Sequence, residues 1–322
     1  MRNPFRKIIR KSNVFFNGMR QKREQRASQV QFYNMWDGFV RNDAYWSRFL
    51  KAKGMLDSGK RVAVFSCLGP RYMMDLVHTD VKIFFTGENV KRSSLLKYAD
   101  HALRNQSINL AMGFEVFEDP RYLRFPLWMD YMFQPEWTAD EIRTKCEQLR
   151  FPNIQDKRKF CCMVSTNSAD GLRKEMMEAI SQIAHVDSGG LYMHNDDSLQ
   201  TEYKDDKLAY LQSYSFNICP ENTLVYGYTT EKVFEAISVG CIPIYWGADF
   251  ADKDVINENA VIRWDRKDGG QSALKQIQEL YANPKMLKEF LTQPRLLPTA
   301  EEYILDTYST LESKLRAIIE TK

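Results

Sequence analysis

Residues 216–247 read FNICPENTLVYGYTTEKVFEAISVGCIPIYWG, and this stretch decides the fold. Tyr214-Ser215-Phe216-Asn217-Ile218-Cys219 has the apolar, aromatic-rich character of a strand. Pro220 ends it, and Glu221 and Asn222 stand in the loop that follows. Tyr226-Gly227-Tyr228 turns the chain, and Thr229 or Thr230 can cap a helix running to Val239. Cys241-Ile242-Pro243-Ile244-Tyr245-Trp246 is again a strand. Strand, helix and strand in that order predict a βαβ unit and a parallel sheet. Glu231 and Lys232 fall in the first turn of the helix. Free N–H groups and partial positive charge there suit an anion. Lys232 opposes the helix dipole, at a cost of roughly a few tenths of a kcal/mol. That placement is understandable where the side chain meets a phosphate; the alternative is a solvated lysine on an exposed turn.

The same alternation extends outward. Upstream, strands are predicted at 30–36, 61–67, 82–86 and 109–114, with a helix near 44–53. Pro135, Pro152 and polar residues surround one short helix that starts at Thr138, and this region marks a boundary. A second series then begins with a strand at 159–164 and an amphipathic helix at 171–185. Helices follow at 271–282 and 284–291, and a last one opens on a capping-box pattern, Thr299 with Glu302. The predicted organisation is a basic arm at 1–27, one αβ half at 28–150 and a second at 151–322 with a C-terminal helix. Ligands of such sheets gather outside the carboxyl ends of the strands.

The charge is split. Residues 1–26 hold nine basic side chains and one acid, a net +8. The other 296 residues hold 36 basic and 41 acidic side chains, a net −5. An acidic body argues against a nucleic-acid binder. No run approaches the roughly 18 apolar residues of a spanning helix, and the apolar stretches at the N-terminus are too short for a signal-peptide core. A cytoplasmic protein is expected, with its six cysteines reduced. No C-x-x-C pair occurs and the four histidines are scattered, so no zinc site is expected.

Neither a P-loop nor a G-x-G-x-x-G follows any strand, so an NTPase or a dinucleotide dehydrogenase is not indicated. Asp252-Lys253-Asp254 is a literal D-x-D, read as a solvated loop. His194-Asn195-Asp196-Asp197 is read as a polar loop.

The ordered elements E-N-T…Y-G-Y-T-T-E-K…G-C-I-P-I-Y-W-G resemble the signature of the α-1,3/4-fucosyltransferases, glycosyltransferase family 10, bacterial Helicobacter type. Phe84-Phe85-Thr86-Gly87-Glu88-Asn89 is similar to the family's F-x-T-G-E-N turn. Gly113-Phe114-Glu115 followed by Arg121-Tyr122-Leu123-Arg124-Phe125-Pro126-Leu127 resembles a further element. Ser165 and Asn167 with Arg173 resemble the one that opens the second half.

The resemblance implies a GT-B architecture, two Rossmann-like domains facing a central cleft, with the acceptor on the first and GDP-β-L-fucose on the second. It implies inverting transfer of fucose to the 3-hydroxyl, or 4-hydroxyl, of N-acetylglucosamine in a glycan such as N-acetyllactosamine, making Lewis-type structures. Glu88 falls on the general base, and burial would suit that role by raising its pKa. Arg173 and Lys232 fall on diphosphate contacts. Asn222, Tyr228, Glu231, Glu221, Asn167 and Ser165 fall on or near donor positions, Glu221 either binding the donor or buttressing the loop. Arg121 and Arg124 are read as structural ion-pair partners. No metal or cofactor is required, a divalent cation being at most stimulatory. The family's C-terminal heptad repeats and basic tail have no counterpart here.

Other readings are a GT-B transferase for a different nucleotide sugar or acceptor, and a silent sugar-binding module. The basic arm matches no family element. It is expected to hold the protein on the anionic inner membrane face, the alternative being a disordered solubilising arm.

Overall fold

The computed structural model describes residues 17–154 and 159–321. They divide into two compact units.

The first unit contains the described residues through Asp130, Gln134–Glu136 and the residues from Asp306 on. Its sheet has five parallel strands in simple order: β1 (Val30–Tyr33), β2 (Val62–Phe65), β3 (Val81–Phe85), β4 (Leu110–Gly113) and β5 (Tyr122–Arg124). β2 and β3 are buried along their whole length, as expected of a parallel sheet covered on both faces. Trp46, on the helix Tyr45–Ala52, packs edge-on against Phe85 with ring centroids 5.0 Å apart. Phe125 meets the same indole at 5.5 Å.

The second unit contains Tyr131–Phe133 and Trp137–Leu305. Its sheet is also parallel, in the order β10–β9–β8–β6–β7. These strands are β6 (Lys159–Met163), β7 (Val186–Ser188), β8 (Tyr214–Ile218), β9 (Ile242–Tyr245) and β10 (Ile262–Arg263). The sequence therefore departs from the β6–β8 pair in opposite directions, to β7 on one side and to β9 on the other. Loops leaving two such strands diverge, which opens a crevice at their carboxyl ends. Thr138 and Glu141 form a full capping box on the helix Ala139–Arg150.

Two expectations change. The C-terminal helix Ala300–Glu320 does not belong wholly to the second half. Its residues from Asp306 on join the first unit, because its apolar stripe finds partners there: Tyr308 packs on Phe125 at 5.7 Å and its hydroxyl pairs with that of Tyr45 at 2.8 Å. The Thr299 hydroxyl, just before that helix, donates to the Asp254 carbonyl at 2.8 Å. The basic arm does not end where the fold begins. Residues 17–24 are helical, and buried Gln25 both accepts from the Phe32 N–H and donates to its carbonyl. The arm's residues 1–16 lie outside the described residues.

Candidate active site

Glu88 stands at the end of β3. The Thr86 hydroxyl accepts the Glu88 N–H at 3.0 Å and pins the turn. Gly87 allows it: a Cβ there would lie 2.5 Å from Leu127 Cδ1. The carboxylate lies 3.2 Å from Arg92 Nη2, and its side chain is 37% exposed. The burial expected for a base is thus not found; the group is open to solvent and held by an arginine one turn on. Nearby Glu115 is buried, bonded to His101 Nε2 at 2.6 Å and to Lys91 Nζ at 2.5 Å. Burial pushes its pKa up, but these two donors outweigh burial and leave it below the usual carboxylate range. Arg121 is a structural residue, 3.5 Å from Asp119 and donating to the Leu103 carbonyl at 2.7 Å.

In the second unit, the loops after β6 and β8 bring the other candidates together. The β6 loop carries Ser165 and Asn167, and the Ser165 hydroxyl donates to the Asn167 carbonyl at 3.1 Å. Ala169, Asp170 and Gly171 then run through the left-handed region with φ of 46°, 52° and 84°. The two non-glycine residues each hold roughly 1–2 kcal/mol of strain, and this turn starts the helix Leu172–Ile180 with Arg173 at its second position. The Arg173 guanidinium is 3% exposed as a residue and bridges both loops. Nη1 donates to the Asn167 carbonyl at 2.8 Å and also to its side-chain oxygen, while Nη2 donates to Asn222 Oδ1 at 2.9 Å. Burial pulls the Arg173 pKa down, against the field of Glu221.

Glu221, at the start of the β8 loop, has no exposed surface. Its Oε1 accepts the Thr230 N–H at 2.7 Å, and its Oε2 accepts the Thr230 hydroxyl at 2.8 Å and Lys232 Nζ at 3.1 Å. It therefore fixes Thr230, the N-cap residue of the helix Glu231–Ser238, from nine residues upstream, bonding the N-cap N–H as the reciprocal carboxylate of a capping box does. Of the two roles open to Glu221, the geometry displays the buttress. Burial pulls the Lys232 ammonium down, and Glu221 and Glu231 more than reverse this, so it stays protonated above its ordinary range. Lys232 is accordingly an anchored cation at a helix N-terminus rather than a free surface lysine.

Tyr228 is buried, and Glu231 lies 3.8 Å from Lys232. Ser165, Arg173 and Lys232 line one cavity of about 20 Å³, room for a single water, so a larger ligand would lie across its mouth. Lys207 and Glu235 share that lining and pair with each other, and sequence reasoning missed both. They are 28 positions apart and belong to no motif. Asp252 of the D-x-D is 1% exposed and accepts from the Tyr303 hydroxyl at 3.1 Å, so it is a buried structural carboxylate rather than a solvated one. The four-residue His194 loop is polar as expected, with Asp196 accepting from Tyr210. Among the described residues no group of three His, Cys, Asp or Glu side chains could hold a metal, and no helix is long and apolar enough to cross a membrane.

A family model described as Glycosyltransferase family 10 (fucosyltransferase) C-term matches residues 154–300, and one described as Alpha-(1,3)-fucosyltransferase FucT N-terminal domain matches residues 30–131. Alpha-(1,3)-fucosyltransferase FucT of Helicobacter pylori is 29% identical over 199 residues, 54% of this chain and 38% of that protein. A putative fucosyltransferase of Acanthamoeba polyphaga mimivirus is 26% identical over 149 residues, 44% of this chain and 24% of that protein. The matches thus span well under half the length of either relative. A crystal structure of alpha1,3-fucosyltransferase superposes with a TM-score of 0.58 at 20% identity, covering 91% of this chain and 90% of that one. Another, with GDP-fucose, gives a TM-score of 0.54 at the same identity and coverage. Two parallel-sheet α/β units of this kind define the GT-B class of glycosyltransferase folds. Within that class, with both halves matched by models of one family, the chain belongs to glycosyltransferase family 10, the fucosyltransferases.

Proposed function

We propose that the chain transfers L-fucose from GDP-β-L-fucose, with inversion at the anomeric carbon, to N-acetylglucosamine in a glycan such as N-acetyllactosamine. The 3-hydroxyl is the acceptor position, the 4-hydroxyl its alternative, and Lewis-type structures are the products. The observation that carries this reading is that a buried cation, Arg173, and a partly buried one, Lys232, line one cavity from the first turns of the helices that follow β6 and β8. Converging cations beside a helix N-terminus suit a diphosphate.

In this reading the second unit holds the donor and the first the acceptor. Glu88 takes the proton from the acceptor hydroxyl as its oxygen attacks the anomeric carbon opposite the leaving GDP. Charge then builds on the diphosphate oxygens. Arg173 is already desolvated and locked between Asn167 and Asn222, and Lys232 is locked by Glu221, so neither must reorganise to meet that charge. Asn222, Tyr228 and Glu231 line the approach and offer groups to the ribose or fucose hydroxyls, with Ser165 and Asn167 beside the phosphates. Protein cations take the place that a metal fills in other transferases, and any divalent ion only stimulates. The basic arm holds the protein on an anionic membrane surface.

The test is incubation of purified protein with GDP-fucose and type 1 or type 2 acceptors. Fucosylated product is expected. Lack of GDP binding by calorimetry would remove the reading altogether, and GDP binding without turnover on either acceptor type would remove the acceptor.

A further inference from the structure

The described end of the basic arm builds a second cationic site, far from the donor loops in sequence. Lys22, Arg23 and Arg26 from the arm join Arg61 and His78 around a cavity of about 460 Å³. Arg61 directly precedes β2, and His78 lies three residues before β3. The cavity is therefore at the amino end of the sheet, and Glu88 is at the carboxyl end. The five residues of β3 separate those ends by about 16 Å at ~3.3 Å per residue.

The charges of this cavity are poorly compensated among the described residues. Arg61 Nε has Asp80 at 3.9 Å, with both side chains about half exposed. Lys22 Nζ donates to the Leu76 carbonyl at 2.5 Å, a neutral partner that orients it and leaves its charge unmatched. Glu24, on the same segment, is turned to Arg20 and Arg41 instead. No described carboxylate lies within ion-pair distance of Arg23 or Arg26. Like charges gathered in one concavity repel, and an anion of more than one charge relieves this. Guanidinium forks match the oxygens of a phosphate in pairs. The volume exceeds what a bare phosphate fills, and Met19 and Val77 add apolar wall, which suits an ester substituent.

We propose that this cavity binds the phosphate of a phosphate ester, supplied either by a phospholipid headgroup or by a soluble metabolite. The lipid source would give the membrane reading of the arm a stereochemical anchor. The site itself rests neither on that reading nor on fucosyl transfer, since it is argued from described residues of the first unit alone.

The experiment uses the full chain, the double variant Arg23→Gln/Arg61→Gln, and the arm control Arg2→Gln/Arg6→Gln. Thermal melts show that each is folded. Binding is measured to glycerol 3-phosphate by calorimetry and to phosphatidylcholine vesicles with and without phosphatidylglycerol by flotation. The cavity variant is expected to lose about tenfold or more in affinity for at least one probe, as two charge-assisted contacts go, with the arm control ahead of it on that probe. Loss on vesicles alone assigns the lipid source, and loss on glycerol 3-phosphate without vesicle binding assigns the soluble one. If the two double variants behave alike on both probes, including binding neither, the proposal is overturned.

Discussion

The Lys232 ammonium lies 3.1 Å from Glu221 Oε2, and that carboxylate is fully buried. One residue thus holds Thr230, the N-cap residue of the helix Glu231–Ser238, and sets the position of the cation in its first turn. Removing one charge of a buried pair strands the other, which typically costs about 3–5 kcal/mol. The Lys232 side chain is 19% exposed, which favours the lower end. Glu221→Gln is therefore expected to lose about 3 kcal/mol in denaturant unfolding and to weaken GDP binding. An unchanged unfolding midpoint would show that the pair carries no weight.

The same pair predicts an alkaline limit. The folded Lys232 value lies above its ordinary 10.5. Its contribution to stability is whole below that pH and fades as pH rises through the folded value. Melting temperatures between pH 9 and the alkaline end should fall more steeply for the native protein than for Lys232→Met. Parallel slopes would refute the linkage.

The places of the candidate residues were largely legible in the sequence, because Glu88 and Glu221 follow soon after apolar strands and Arg173 and Lys232 stand in the first turns of the helices after β6 and β8. The runs at 62–65, 81–85, 160–163 and 214–218 are continuous and buried, so they announce themselves. β5, β7 and β10 did not, since each has only two or three residues and forms the edge of its sheet, too short to show a period. The role of Glu221 was half legible: its place before Asn222 was plain, but its burial depends on how the loop folds back onto Thr230. The Lys207–Glu235 pair and the partner of the C-terminal helix depend on tertiary contacts between distant segments, which no local pattern encodes.

Glu88→Gln keeps the side chain's shape and its Thr86-pinned turn but removes the proton acceptor. Transfer is expected to fall by about 10²–10⁴-fold, the usual worth of a general base, with GDP affinity unchanged. A variant that still turns over at the native rate would take Glu88 out of the mechanism.

Arg173→Lys tests whether the fork matters. A lysine keeps the charge but cannot donate to both Asn167 and Asn222 while facing a phosphate. A loss of about 10²-fold in kcat/KM for GDP-fucose is expected, by analogy with loss of one transition-state donor. Native kinetics in this variant would reduce Arg173 to a point charge.

Gly190→Ala probes the donor loop from behind. A Cβ at residue 190 would lie 2.3 Å from both the backbone nitrogen and the backbone oxygen of Ser165. Backbone cannot swing aside as a side chain can, so the β6 loop must shift. That loop carries Asn167, which positions the Arg173 guanidinium. Overpacking of this kind costs about 1–3 kcal/mol, and the displaced loop should also raise the GDP-fucose KM. The substitution leaves the Glu88 carboxylate itself in place as proton acceptor, so kcat at saturating donor should fall less than kcat/KM. Calorimetry with GDP and a melt on the same sample separate the two effects: lost stability with native GDP affinity would mean that Ser165 and Asn167 move without taking Arg173 along.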